Sequence, residues 1–209
     1  MTAAELATLF PRLYHVTVPG AWDSIQRLGL RPSVDLAKRQ GKLEILERRR
    51  PSAIDLGNNI VLNDQLPLSE KALDSCLDDE LTPRDWLGIL NRRVFFYPTE
   101  TEVEKLLNAR INRSRERDIL IFDTKKLSED YLQNLQFCPI NSGSTIRKPA
   151  RRGLNTFTSI TSTTYQAWRR KRGKADNVRE IVSTSPISCP EKYLQARLTK
   201  ADFLDQAVG

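Results

Sequence analysis

Two short runs limit what this chain can fold into. RRVFFYP (92–98) and RDILIFDT (117–124) are apolar over most of their length, and the first is closed by proline. Such a run offers water no polar face, so each reads as a core strand covered by other elements. The rest of the chain supplies the cover. LYHVT (13–17) alternates and is rich in β-formers, which predicts another strand. Pro19-Gly20 breaks it, and AWDSIQRLGL then sets Trp22, Ile25 and Leu28 on one helical face, with Gly29 as the stop. Thr82-Pro83-Arg84-Asp85 is a helix start: threonine as N-cap, proline at the first helical position and an acid in the first turn. That helix runs on through Trp86, Ile89 and Leu90. TETEVEKLLNARI (99–111) opens on acids and buries Val103, Leu106 and Leu107, the strongest helical pattern in the chain. Further helices are expected from about Lys125 to Leu135 and near TTYQAWRRKR. NIVLNDQ (59–65) reads as a short strand and NVREIVST (177–184) as the last clear one, while residues 31–60 read as a long, partly irregular connection.

Strands and helices therefore alternate irregularly, and no internal repeat or low-complexity linker divides the 209 residues. The expectation is one α+β domain over 1–209, with a mixed β-sheet core and peripheral helices. Neither G-x-G-x-x-G nor G-x-x-x-x-G-K-[ST] occurs, so dinucleotide-fold and P-loop readings have no support. No apolar run approaches the ~20 residues of a membrane helix, and MTAAELATLFPRLYH lacks the basic region and cleavage site of a secretory signal. Cys76, Cys138 and Cys189 are odd in number, far apart and show no C-x-x-C spacing. They read as free thiols in a reducing cytoplasm, without zinc. His15 is the single histidine. A Ser-His-Asp or Cys-His hydrolase would have to use it, yet no serine or cysteine sits in a nucleophile elbow. No metal is expected, and Asp78-Asp79-Glu80 reads as an exposed acidic turn.

The net charge of +7 is uneven. From Tyr131 to Ala175 there is no Asp or Glu but nine Lys and Arg, leaving the remainder with 24 bases against 26 acids. A concentrated basic tract, here within 141–177, is the electrostatic footprint of a polyanion, most often nucleic acid. Arg151, Arg152, Arg169, Arg170 and Arg172 are the candidate contacts, with Trp168 or Tyr165 to stack on a base. The plainer alternatives are a solvated charged loop and two aromatics that pack a short helix on the core. Farther on, a regular strand through VREIV puts Val178 and Val182 on the face of Glu180, and Arg179 and Ile181 on the other. A carboxylate so placed either lies partly buried in a cleft or sits at a strand edge paired with an arginine.

The spacing Tyr14-His15-Val16-Thr17, then Ser24-Ile25, then Gly29-Leu30 resembles the opening of ADP-ribosyltransferases of the DarT kind, toxins that modify DNA bases using NAD. There the segment reads Tyr-His-Ile-Thr, Ser-Ile and Gly-Leu with the same gaps. RVFFYP (93–98) is similar to that family's aromatic central strand. REIVSTSPI (179–187) is similar to its late strand, which carries the catalytic glutamate before a Val/Ile-Pro turn. Together these stretches cover about a third of the chain. The resemblance implies an ADP-ribosyltransferase-like fold, NAD as substrate and Glu180 as the catalytic carboxylate. His15 would donate to an adenosine ribose hydroxyl, Thr17 would lie beside the nicotinamide amide, and Tyr97 would join them around NAD. A catalytic arginine is expected some way after the first helix, where Arg48, Arg49 and Arg50 stand as alternatives. Arg49 is placed in the catalytic role, with Arg48 and Arg50 on the diphosphate. One departure is Ala21, where the family pattern has an asparagine.

The chemistry agrees with these roles, because cleaving the nicotinamide–ribose bond builds positive charge that a carboxylate can stabilise. An early His-x-Thr strand also occurs in RNA 2′-phosphotransferases of the same fold, which is the rival enzymatic reading. The non-enzymatic rival is a nucleic-acid-binding module without turnover. The acceptor would be DNA or RNA through the basic tract, with protein left open. A toxin or phage-defence effector of this kind would need an antitoxin or immunity protein in its own cell.

Overall fold

The computed structural model describes residues 1–146, 148–172 and 177–206. The first half runs α1 (Ala3–Leu9), β1 (Arg12–Thr17), α2 (Trp22–Leu28), α3 (Ser33–Arg39), β2 (Ile54–Asp55), β3 (Val61–Leu62), α4 (Glu70–Asp74), α5 (Pro83–Asn91) and β4 (Val94–Phe96). The second runs α6 (Glu100–Asn108), β5 (Asp118–Asp123), α7 (Thr124–Tyr131), β6 (Leu135–Cys138), β7 (Thr158–Ser159), α8 (Tyr165–Arg172), β8 (Glu180–Ser183), β9 (Leu194–Thr199) and α9 (Lys200–Gln206). The class is α+β, built on two main sheets ordered β1-β5-β9 and β4-β8-β6-β7, beside the small β2–β3 hairpin. The expected mixed sheet is corrected in one respect. Every strand ladder among the described residues is antiparallel, and parallel pairing is confined to the bridge Leu77–Arg152.

Both apolar runs are strands, and β5 shows why. Leu120 and Phe122 enter one core cluster with Leu13, Phe96 and Phe137, while Ile119 and Ile121 enter another with Val103, Leu107 and Phe203 of α6 and α9. A strand with helices over one face and sheet over the other has no use for polar residues. Burying each such side chain contributes about 1.5–3 kcal/mol. A third cluster seats Trp86, Leu87 and Leu90 of α5 against Val182 and Phe157. The cap read from sequence is present: the Thr82 hydroxyl accepts from the Asp85 N–H, and the Asp85 carboxylate accepts from the Thr82 N–H.

Several expectations change. Residues 31–60 are more ordered than their composition suggests, because Ala37, Leu46, Leu56, Ile60 and Leu62 form a small core of their own beneath α3. The helix from Lys125 stops at Tyr131, since Leu135 already belongs to β6. The last strand is β9, a half-buried edge strand following β8. Regular alternation in VREIV begins only at Glu180: Val178 packs in the cluster of Phe137 and Trp168, and Val182 in that of Trp86. Cys76, Cys138 and Cys189 are not joined in disulfides. No helix among the described residues is long and apolar enough to cross a membrane.

Candidate functional site

The three stretches that carry the resemblance are far apart in sequence and meet in space. Tyr14 and Tyr97 exchange backbone hydrogen bonds of 2.9 and 2.8 Å, which joins the two sheets edge to edge through β1 and β4. Leu30 and Ile187 exchange a second pair, both 2.9 Å. Gly29 is required there: its φ is +84°, and a Cβ would stand 2.7 Å from the Ile187 carbonyl oxygen. The junction encloses a cavity of about 310 Å³ lined by His15, Thr17, Arg50, Tyr97 and Glu180. Ser24, Ile25, Gly29 and Leu30 also line it. Tyr14 faces away, donating its hydroxyl to Glu100 at 2.9 Å.

His15 Nδ1 lies 2.9 Å from the Phe95 carbonyl oxygen. A carbonyl only accepts, so Nδ1 carries the proton, and burial holds the ring's pKa below its ordinary value. The neutral ring therefore keeps an acceptor at Nε2, which corrects the donor role expected of it. A ligand hydroxyl would donate to His15. Glu180 is 4% exposed on an interior strand. Its Oε1 accepts from the Ser142 N–H at 3.1 Å and its Oε2 from the Ser142 hydroxyl at 2.6 Å. Burial raises its pKa to about 7 against the opposing pull of those bonds. The strand-edge alternative fails, since the arginine next to it, Arg179, pairs with Glu102 instead. Burial and the carboxylates of Glu180 and Glu102 push the Tyr97 phenol upward.

Arg50 is buried, with Nε donating to the Asn63 carbonyl and NH1 to Asn91 Oδ1, both at 2.9 Å. Both partners are neutral. Burial lowers its pKa to about 10, so it stays cationic at neutral pH. Asn63 also lines the cavity, and its Oδ1 is a buried acceptor without a partner. Orphaned acceptors of this kind call for a donor from a ligand or water.

A protein family described as a family of unknown function, DUF7002, matches residues 11–194. The chain belongs to that family. No curated protein matches it. The DUF7002 span takes in every segment that builds the cavity, from β1 to the Ile187 bridge.

Other residues expected at the site fall elsewhere in this DUF7002 chain. Arg48 and Arg49 line a separate surface depression with Leu68, Ser69 and Glu70, and the Arg49 N–H donates to Glu70 at 2.9 Å. The chain there is pinned at Arg50 by paired backbone and side-chain bonds to Gln65. Only one of three consecutive arginines is turned inward, so the catalytic role given to Arg49 and the diphosphate role given to Arg48 are not supported by position. Arg152 is 2% exposed, with its guanidinium bonded to backbone carbonyls, so burial keeps it from a phosphate at the surface. Trp168 is a core residue, 5.5 Å from the Phe137 ring and stacked on Tyr165 at 6.1 Å, not a platform for a base. Arg151 is exposed and paired with Asp78; Arg169 and Arg170 are exposed on α8. The Arg172 side chain lies outside the described residues, as does Arg147. Ala21, the departure from the DarT-type pattern, lines the cavity.

Sequence reasoning missed Ser142 and Asn63. NSGS (141–144) opens the basic tract of 141–177, and nothing local ties Ser142 to Glu180, 38 residues away. Among the described residues no group of three or more His, Cys, Asp or Glu converges as a metal site.

Proposed function

We propose that this chain is an NAD-dependent ADP-ribosyltransferase, with Glu180 as its catalytic carboxylate and nucleic acid as acceptor. The observation that carries the reading is the convergence of Glu180 with His15, Thr17, Tyr97 and Arg50 on one cavity, five of the seven catalytic and NAD-contacting residues expected from the resemblance to DarT-type enzymes. Each side chain has chemistry suited to NAD. Arg50 is a buried cation with only neutral hydrogen-bond partners, fit to face a diphosphate. His15 Nε2 and Asn63 Oδ1 are acceptors for ribose hydroxyl or amide donors. Glu180, ionised in part near neutral pH, stabilises the positive ribose as nicotinamide departs with the bonding pair. The acceptor then adds at the same carbon and gives up a proton. Support for nucleic acid as acceptor is confined to the exposed cations Lys148, Arg151, Arg169 and Arg170.

The test is nicotinamide release and label transfer from NAD in the presence of DNA, RNA or protein. Glu180→Gln should leave NAD affinity nearly unchanged and lower turnover by a factor on the order of 100 or more. Wild type that releases no nicotinamide with any acceptor overturns the reading. One observation favours an RNA 2′-phosphotransferase as a second reading: Arg31, Arg93 and Arg117 line the cavity with Arg50. That enzyme would move a 2′-phosphate from RNA to NAD, a product the same assay distinguishes.

A further inference from the structure

Glu180 is held mainly by one residue, Ser142, with a further side-chain hydrogen bond from Cys138. Both carboxylate oxygens are bonded to Ser142, one through its N–H and one through its hydroxyl. Ser142 belongs to no helix or strand, so something else must fix it. Its carbonyl accepts from Arg152 NH1 at 2.9 Å and from the Trp86 indole N–H at 3.3 Å. The same guanidinium donates through NH2 to Ser144 O and through Nε to Ala150 O, both at 3.0 Å. Arg152 is itself tied down on its backbone, giving its N–H to Cys76 O and accepting from the Asp78 N–H. All three guanidinium nitrogens thus hold one loop, and that loop's function in the cavity is to present Ser142 to Glu180.

We propose that Arg152 and Ser142 form a positioning relay that orients the Glu180 carboxylate in the cavity and favours its ionised form. Fixing the Ser142 carbonyl fixes where its N–H and hydroxyl point, and the buried guanidinium adds its field directly. Burying a cation of this size away from any carboxylate ion pair is costly, and holding a loop of small polar residues would not by itself call for one. Both groups oppose the effect of burial on Glu180, as their signs require. The other titratable groups around the carboxylate are Tyr97 at the end of β4, Cys138 paired across β6 and His15 on the cavity wall. Tyr97 and His15 are neutral at pH 7, the first from its raised and the second from its lowered pKa. The relay's catalytic meaning rests on the transferase reading, but its effect on Glu180 does not.

The experiment follows the Glu180 carboxyl directly, by NMR titration of protein carrying ¹³C at glutamate Cδ, with Glu180→Gln to assign the signal. Wild type should titrate near pH 7. Ser142→Ala removes only a hydroxyl, and Arg152→Met keeps bulk without charge. Each should raise the midpoint by about one pH unit, the scale of one charge-assisted bond. Arg152→Lys, which keeps the charge but not the fork, should recover part of that displacement. Ser142→Ala also guards against an Arg152 variant that fails to fold. A folded Ser142→Ala or Arg152→Met protein with the wild-type midpoint overturns the relay, whatever its activity. Displaced midpoints together with a wild type that releases no nicotinamide support the relay and overturn the transferase reading instead.

Discussion

The wall of the cavity and the seat of α8 are both buried, and they are built in opposite ways. Under α8 the contacts are ring on ring: Trp168 against Phe137 and Tyr165, and Phe10 against Tyr165 at 6.0 Å. Arg169 and Arg170 of that helix are exposed. At the cavity the buried groups are a carboxylate with a raised pKa, an imidazole with a lowered one, a guanidinium with neutral partners and an amide oxygen with none. The first arrangement stabilises the fold, whereas the second works against it. Polar groups held at a cost in stability are expected where chemistry or binding needs them. The contrast argues for the cavity as the candidate site and for a structural role under α8, although the charge of the sequence is concentrated near α8.

The largest test of that contrast is Trp168→Ala. Removing an indole from a closed aromatic seat should cost about 3–5 kcal/mol, read as a loss in denaturant midpoint. The change should leave ligand binding at the cavity intact in whatever fraction remains folded. A loss below about 1 kcal/mol with a specific fall in nucleic-acid affinity would reverse the assignment and return Trp168 to the role of a stacking platform.

A smaller effect of opposite sign is expected on the cavity side. Glu180 titrates near 7 in the folded chain against an ordinary value of 4.5. The native state therefore binds the proton more tightly than the unfolded one. Stability is greatest below pH 4.5, falls as pH rises toward 7 and stays lower above it. Glu180→Gln has no such term. The variant should match wild type at pH 4 and exceed it at pH 8 by up to about 3 kcal/mol, measured by thermal melts across pH. A variant less stable than wild type at pH 8 would make Glu180 an ordinary structural carboxylate.

The sequence discloses the cavity unevenly, and the reason is range. His15, Thr17 and Glu180 are legible because each lies on a strand whose pattern fixes which residues share a face, and a resemblance marks the strands. Arg50 is not separable from Arg48 and Arg49, because the bonds to Gln65 that turn it inward are set fifteen residues away. Arg152 and Trp168 carry a correct surface signal, positive charge and an aromatic, yet long-range packing buries both. Ser142 and Asn63 lie outside helices and strands, so only the assembled sheets give them a place. The fold class was legible for the complementary reason: the apolar runs of β4 and β5 and the caps of α5 and α6 are local. The edge strand β9, half-buried with Gln195 and Arg197 outward, carries too little apolar signal to be read.

The smallest effect concerns what the charged surface still does. With Arg152 committed to the 142–150 loop and Arg151 paired with Asp78, the exposed cations of α8 among the side chains described are Arg169 and Arg170. Each phosphate contact on a single strand releases about 0.7 of a counterion. The double variant Arg169→Gln, Arg170→Gln should therefore flatten the log–log salt slope of single-stranded DNA or RNA binding by about 1.4. Arg152 has to be left out of such a variant, because its loss would disturb Ser142 and the carboxylate it holds. Nicotinamide release from NAD without acceptor should be the same in the double variant and wild type, since neither arginine lines the cavity. An unchanged slope would make α8 a solvated face, and the acceptor would then have to be sought among molecules that reach the cavity mouth without a basic track.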